Sequence, residues 1–297
     1  MPITPIRHPR KPFSVELHGA LRRLGGALSQ RLADGVGPGR TATPRGVDGT
    51  IIAASYNVHK CVGVDNRFDP GRIAAVIAEL DADVLALQEA DRRFGRRTGL
   101  LNAAALERRT GLTLLAVTDT PGGHGWHGNA LLVRSGRLIR LRRLALPGAE
   151  PRGALIAELQ LPAGRVRVVA AHLGLLRRHR AQQAAALLDA VHQGSPMPTL
   201  LMGDLNEWRP GVPSSLVALE PLFGPLDEGT PSFPSRLPFL ALDRILGAPN
   251  GMVQAIEAHH SPLARIASDH LPLRARIDLA GAQEQTAAAA KDLARAA

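Results

Sequence analysis

From residue 49 onward, short apolar runs alternate with polar turns and a few amphipathic stretches. The segment "TIIAASYNVH" (50–59) reads as a strand. In "DPGRIAAVIAEL" (69–80) the apolar residues recur at helical spacing, with Asp69 as N-cap and Pro70 at the first helical position. "DVLALQE" (83–89) is a second strand, so the three segments predict a βαβ unit. Further strands are expected at 112–118, 128–134, 138–145, 153–161, 166–172, 198–204, 241–247, 252–258 and 271–278. Helices are expected at 99–109 and 177–193, and the alanine-rich tail 280–297 reads as a frayed or docked helix. So many strands with so few helices predict an α/β (α+β) four-layer sandwich, two packed mixed β-sheets flanked by helices, and not a strictly alternating barrel.

Residues 1–48 have a different texture, with prolines at 2, 5, 9, 12, 38 and 44 and an excess of basic over acidic side chains. Leu17, Leu21, Leu24, Leu28 and Leu32 would line one face of a helix, which Gly25-Gly26 weakens by roughly 1 kcal/mol per glycine. The expected organisation is therefore a basic leader, partly helical or disordered, at 1–48, a domain at 49–279 and a tail at 280–297. A basic amphipathic segment can lie on an anionic membrane, so peripheral membrane contact through residues 13–33 stands beside the alternative of a helix docked on its own domain.

Composition narrows the class without naming an activity. With 297 residues and 45% apolar side chains the chain can bury a sizeable core. The net charge of +10 favours polyanionic partners, although arginine so outnumbers lysine that much of the excess reads as coding bias. A lone cysteine, Cys61, excludes an intramolecular disulfide framework and fits a reducing compartment. No apolar run approaches the roughly 18 residues of a spanning helix, and the N-terminus is a poor secretory signal, so the expected location is cytoplasmic, with or without membrane association.

Chemistry enters where the strands end. Asn57 follows "IIAASY", Glu89 follows "DVLALQ", His172 follows "VRVVAA", and Asp204 and Asn206 follow "PTLLMG". Asp243 interrupts "LALDRIL", and Asp269-His270 precede "LPLRARI". Singly, each is an ordinary capping, turn or core-margin residue.

As an ordered set, "SYNVH" (55–59), "LALQE" (85–89), "AAHLG" (170–174), "MGDLN" (202–206), "LDRIL" (242–246) and "SDH" (268–270) resemble the endonuclease/exonuclease/phosphatase superfamily. That superfamily includes repair nucleases, pancreatic-type deoxyribonucleases, neutral sphingomyelinases and inositol-polyphosphate phosphatases. The compact bacterial members are nearest in flavour, with "GNALL" (128–132) and a "PSFPS" loop (231–235). The resemblance runs from about residue 50 to 279 and implies Mg-dependent hydrolysis of phosphoesters, with Mn as a second possible metal. A hard cation wants oxygen ligands, for which Glu89, the Asn57 amide oxygen and Asp269 are the candidates. Asp204 would orient and deprotonate the attacking water, and Asn206, on the same face after a two-residue step because strand side chains alternate, would hold that water or a phosphate oxygen. The resemblance assigns His270, paired with Asp243, to the same neighbourhood and has His172 donate to a nonbridging phosphate oxygen; either Asp204 or His270 could be the formal base.

His59 and Trp208 are substrate-binding candidates, and Lys60, Trp126, His124, His127 and the arginines at 92, 93, 96 and 97 stand nearby. Gly203 is expected to let a strand end come close to a phosphate. The only tyrosine, Tyr56, adjoins the motif asparagine, which leaves the separate active-site tyrosine of repair-type relatives without a counterpart. The substrate classes left open are nucleic acid, phospholipid and small molecule, with no obligate protein partner. A nucleic-acid- or lipid-headgroup-binding protein that has lost catalysis is the alternative.

Overall fold

The computed structural model describes residues 48–296 apart from 93–94, 209–213 and 227–228. The leader, with its leucine stripe and the expected membrane contact at 13–33, lies outside the described residues, as does Arg93.

The strands are β1 (Thr50–Asn57), β2 (Val84–Gln88), β3 (Thr113–Leu114), β4 (Ala130–Val133), β5 (Arg137–Ala145), β6 (Gly153–Leu161), β7 (Gly164–His172), β8 (Thr199–Asp204), β9 (Asp243–Ala248), β10 (Val253–Ala258) and β11 (Leu273–Asp278). The helices are α1 (Pro70–Leu80), α2 (Ala103–Thr110), α3 (Arg177–His192), α4 (Glu220–Phe223), α5 (Ala264–Ala267) and α6 (Leu279–Ala296), with single 3-10 turns at His59–Cys61 and Val217–Leu219. One sheet runs β10-β11-β1-β2-β4-β3 and the other β5-β6-β7-β8-β9. Both are mixed: β1–β2 and β7–β8 are parallel, joined across α1 and α3, and the remaining pairs are antiparallel.

Strand alternation builds the layers. Ala53 of β1 and Met202 of β8 face a common core between the sheets, while Tyr56 turns outward onto Ile73, Val76 and Ile77 of α1, and Leu201 turns outward onto the layer holding Leu187 and Val191 of α3. Helix, sheet, sheet and helix thus form the expected four-layer sandwich.

Local signals explain most of the element bounds. The Asp69 carboxylate accepts from the Arg72 backbone N–H at 3.0 Å and starts α1 as an N-cap should. Helix α2 begins at Ala103, later than its apolar pattern suggests, because Asn102 caps it while Gly99 and Leu100 are spent on backbone hydrogen bonds to Gly122 and Ala90. The expected strand at 112–118 pairs for only two residues, yet Leu115 and Val117 still enter the inter-sheet core. The alanine-rich tail is the docked helix α6, with Leu279 and Ala282 buried and Gln283 donating to the Arg165 carbonyl at 3.2 Å.

The topology sends the C-terminal ends of β1, β2, β7 and β8 and the N-terminal ends of β9 and β11 to one edge. In register, His172 of β7 is paired with Asp204 of β8, and Asp204 with Asp243 of β9, so three adjacent strands present them side by side. Gly203 serves this approach: a Cβ there would lie 1.8 Å from the Ala171 carbonyl oxygen. Gly203→Ala is accordingly expected to destabilise the domain by about 2–3 kcal/mol, read as a fall in the urea midpoint at unchanged slope. A midpoint equal to that of the wild-type chain would show that β7 and β8 do not need the close contact.

Candidate active site

Asp204 is the centre of the arrangement. Its carboxylate is buried at the end of β8 and receives the Asn57 amide Nδ2 at 2.9 Å and the Asn206 backbone N–H at 3.1 Å. His172 Nε2 lies 3.3 Å away and His270 Nε2 3.8 Å away. Asn57 comes from the other sheet, 147 residues distant in the chain, so this cluster stitches the two sheets together at the edge.

His270 is fixed on its other side. Its Nδ1 is 2.8 Å from the Asp243 carboxylate, and its ring packs 5.0 Å from the Phe233 ring. The same Asp243 oxygen accepts from the Ser232 hydroxyl at 2.5 Å, and the Ser268 hydroxyl donates to the Asn57 carbonyl at 2.7 Å. Ser232 and Ser268 went unassigned from sequence; their signal was their place inside "PSFPS" and "SDH".

Both titrating groups of the cluster are shifted upward, which disfavours the charged form of Asp204 and favours that of His270. Burial pushes the Asp204 carboxyl up to about 7, aided by the Asp243 charge and opposed by the His270 cation and the Asn57 and Asn206 donors. Burial would strip the His270 proton, but Asp243, Asp204 and Asp269 overcome it and push the imidazole up to about 10. Near pH 8 the resting pair is therefore a carboxylate beside an imidazolium.

Asn206 lies beyond the strand with a left-handed backbone, φ 53°, and not on the same strand face as Asp204. Its side chain donates to the Leu173 carbonyl at 2.9 Å, which ties the loop after β8 to the loop after β7.

Glu89 occupies a second part of the site. It follows β2 with a φ of 55° and lines a cavity of about 470 Å³ together with His172, Lys60, Asp91, Arg97 and Arg152. The Lys60 ammonium touches its carboxylate, and although burial opposes ionisation, that hydrogen bond and charge hold the Glu89 carboxyl below its usual range. Arg97 reaches Asp91 at 3.4 Å, and Arg152 reaches Glu150 at 2.8 Å.

The other candidates are placed as follows. His59 bonds the Val62 carbonyl through Nδ1 at 2.9 Å, with Asp269 3.6 Å from the same nitrogen. The Asn57 oxygen accepts from the His59 backbone N–H at 3.0 Å. Trp208 is exposed at the rim. Trp126 is rim packing: its ring meets His127 at 4.8 Å, and Arg143 lies over it at 5.3 Å. His127 lines the cavity, His124 packs against Gly99, and Arg92 and Arg96 are exposed.

The two-sheet sandwich whose edge carries this acid–imidazole cluster is a fold shared with known proteins. The sequence model of the Endonuclease/Exonuclease/phosphatase family matches residues 54–270, and the chain belongs to that family. The Escherichia coli K12 protein YbhP, itself uncharacterized, is 36% identical over 168 residues, 54% of this chain and 65% of YbhP, so the match spans less than two thirds of that relative. The fold is shared with a mannosyl-6-phosphatase of Bacteroides thetaiotaomicron (TM-score 0.58, 17% identity, 76% of this chain and 98% of that one). It is also shared with D. rerio TDP2 complexed with single strand DNA product (TM-score 0.56, 15% identity, 77% and 99%). Members of that family generally use divalent metals.

The edge carries oxygen donors of the type such an ion takes. Among the described residues no three His, Cys, Asp or Glu side chains converge as a cage. Glu89 in the cavity wall would fit a hard cation that displaces the Lys60 ammonium from its carboxylate, with water and substrate phosphate oxygens helping to complete the shell.

Proposed function

We propose that the protein is a Mg-dependent phosphoester hydrolase, with Mn as a substitute, in which Asp204 is the general base for an in-line attack by water. The observation that carries this reading is the single buried carboxylate of Asp204 receiving Asn57, the Asn206 backbone, His172 and His270 at once. The Asn57 amide donates to Oδ2 and the Asn206 N–H to Oδ1, with the two imidazoles 3.3 and 3.8 Å from Oδ2, so both carboxylate oxygens are held in a fixed direction, which is what positioning a nucleophilic water requires.

Of the two candidate bases, Asp204 is favoured. His270 is held protonated by Asp243 and cannot take a proton at neutral pH, whereas Asp204 ionises near 7. The His270 imidazolium then balances the charge that grows as Asp204 takes the water's proton, and His172 donates to a nonbridging phosphate oxygen. Asn206 holds the loops together and offers its remaining oxygen to the water. Glu89, with Asn57 and Asp269 as further oxygen donors, would hold the divalent ion, which supplies charge neutralisation on the phosphate. His59 and Trp208 border the substrate at the rim.

The test is a substrate panel of plasmid DNA, single-stranded nucleic acid, phospholipid, sugar phosphates and a generic phosphodiester. Each is assayed with Mg, with Mn and after chelation. Metal-restored hydrolysis of at least one class is expected. Binding without turnover across the whole panel would instead establish the catalytically silent headgroup- or nucleic-acid-binding alternative.

A further inference from the structure

The two edges of the sandwich differ in what they expose. Of the nine large hydrophobic side chains that are exposed among the described residues, Ile139 lies on a strand and Val217 on the 3-10 turn in the α3 layer; the other seven sit in connections at the edge that holds Asp204. Leu237 (74% exposed) and Phe239 (66%) tip the loop leading to Asp243, and Leu175 (66%) and Leu176 follow directly on the His172 strand. Phe68 lies in the connection after Asn57, and Ile266 in the one leading to His270. At the opposite edge the connections 81–83, 134–136, 162–163, 193–198 and 249–252 expose no large hydrophobic residue.

Arginine accompanies these tips. Arg67 precedes Phe68, Arg236 precedes Leu237, Arg265 precedes Ile266, and Arg177 and Arg178 follow Leu176, all of them exposed. Apolar tips flanked by cations suit a surface that is anionic outside and apolar beneath, where the side chain enters and the guanidinium stays at the headgroups.

We propose that this edge docks on an anionic lipid bilayer, so that the phosphoester reaching Asp204 belongs to a phospholipid presented at the interface; the substrate part rests on the hydrolase reading above. Nucleic acid fits less well: Phe68, Phe239 and Trp208 offer a base an aromatic face, but Leu175, Leu176, Leu237 and Ile266 do not. A protein seated on these loops would cover the mouth of the site, whereas a bilayer delivers its own phosphates into it.

The experiment is vesicle flotation of the full chain without divalent metal. Vesicles of phosphatidylcholine containing about one third phosphatidylglycerol are compared with phosphatidylcholine alone. The chain is expected to float with the anionic vesicles and to be released by salt. The variant Leu176→Ser/Leu237→Ser/Phe239→Ser is expected to bind about tenfold more weakly while hydrolysing soluble bis(p-nitrophenyl) phosphate at the wild-type rate. All three substitutions fall on exposed side chains, and the basic leader is present in every sample, so its contribution cancels. Wild-type chain that does not float, or a variant that floats as well as wild type, overturns the proposal. So does a loss confined to binding of a single-stranded oligonucleotide. Asp204→Asn is expected to float like wild type, so docking and hydrolysis fail separately.

Discussion

Asp204→Asn is expected to lower kcat/KM on a phosphodiester by about 10³-fold or more, with little change in fold. The substituted amide keeps one oxygen toward the Asn206 N–H but loses the charge that faces His172 at 3.3 Å and His270 at 3.8 Å. It also cannot accept a proton. Both losses fall on one step, so the effect exceeds what either would give alone, and further removal of His270 from this variant should cost little more. Single-turnover rates of the two purified proteins, with circular dichroism to verify folding, measure it.

Asp243→Asn is expected to cost about 10²-fold at pH 8 and to change the shape of the pH profile. In the wild-type chain the active pair is ionised Asp204 beside protonated His270. Activity should rise as Asp204 loses its proton near 7 and fall as His270 loses its own near 10, so the profile has a plateau between those limbs. The sign follows from each group: a carboxyl raised by burial must be deprotonated to act, and an imidazole raised by carboxylates must keep its proton. Removing Asp243 takes away the main carboxylate supporting the imidazolium. His270 then falls, with only Asp204 and Asp269 left to oppose burial. The basic limb should move down and the plateau should narrow. The limbs belong to the coupled pair, so they are read as apparent values of kcat/KM against pH. A basic limb unmoved in Asp243→Asn would detach His270 from the reaction.

Much of this site was legible in the chain because strand ends are where a sandwich turns its side chains out of the core. "DPGRIAAVIAEL" carried its own cap and period, so α1 and the flanking β1 and β2 followed from local chemistry alone. Asn57, His172, Asp204, Asp243 and His270 stood at the ends of recognisable runs, and the fold brings all five together.

What sequence could not supply was distance across the sheets. Nothing local announces that the Asn57 amide reaches Asp204, that Ser232 supports Asp243, or that Lys60 answers Glu89. The structural need for Gly203 was hidden for the same reason. Its need for no side chain comes from the neighbouring strand's Ala171 carbonyl, and a strand pairing of that kind leaves no mark in the sequence of β8 itself. Asn206 looked like a same-face partner of Asp204 by strand alternation, but the strand had already ended, and the left-handed turn sends its amide to Leu173. The exposed apolar tips were equally invisible, since an isolated Leu or Phe in a loop carries no meaning until the topology shows which edge it occupies.

The most direct measurement is release of product from a simple phosphodiester by the wild-type chain and Asp204→Asn, side by side at pH 8, each with Mg and after chelation. Hydrolysis by the wild-type chain in Mg alone, with the variant at the chelated background, is the predicted result. Equal rates for the two proteins, or a wild-type rate indifferent to chelation, would contradict a metal-dependent phosphoesterase centred on Asp204.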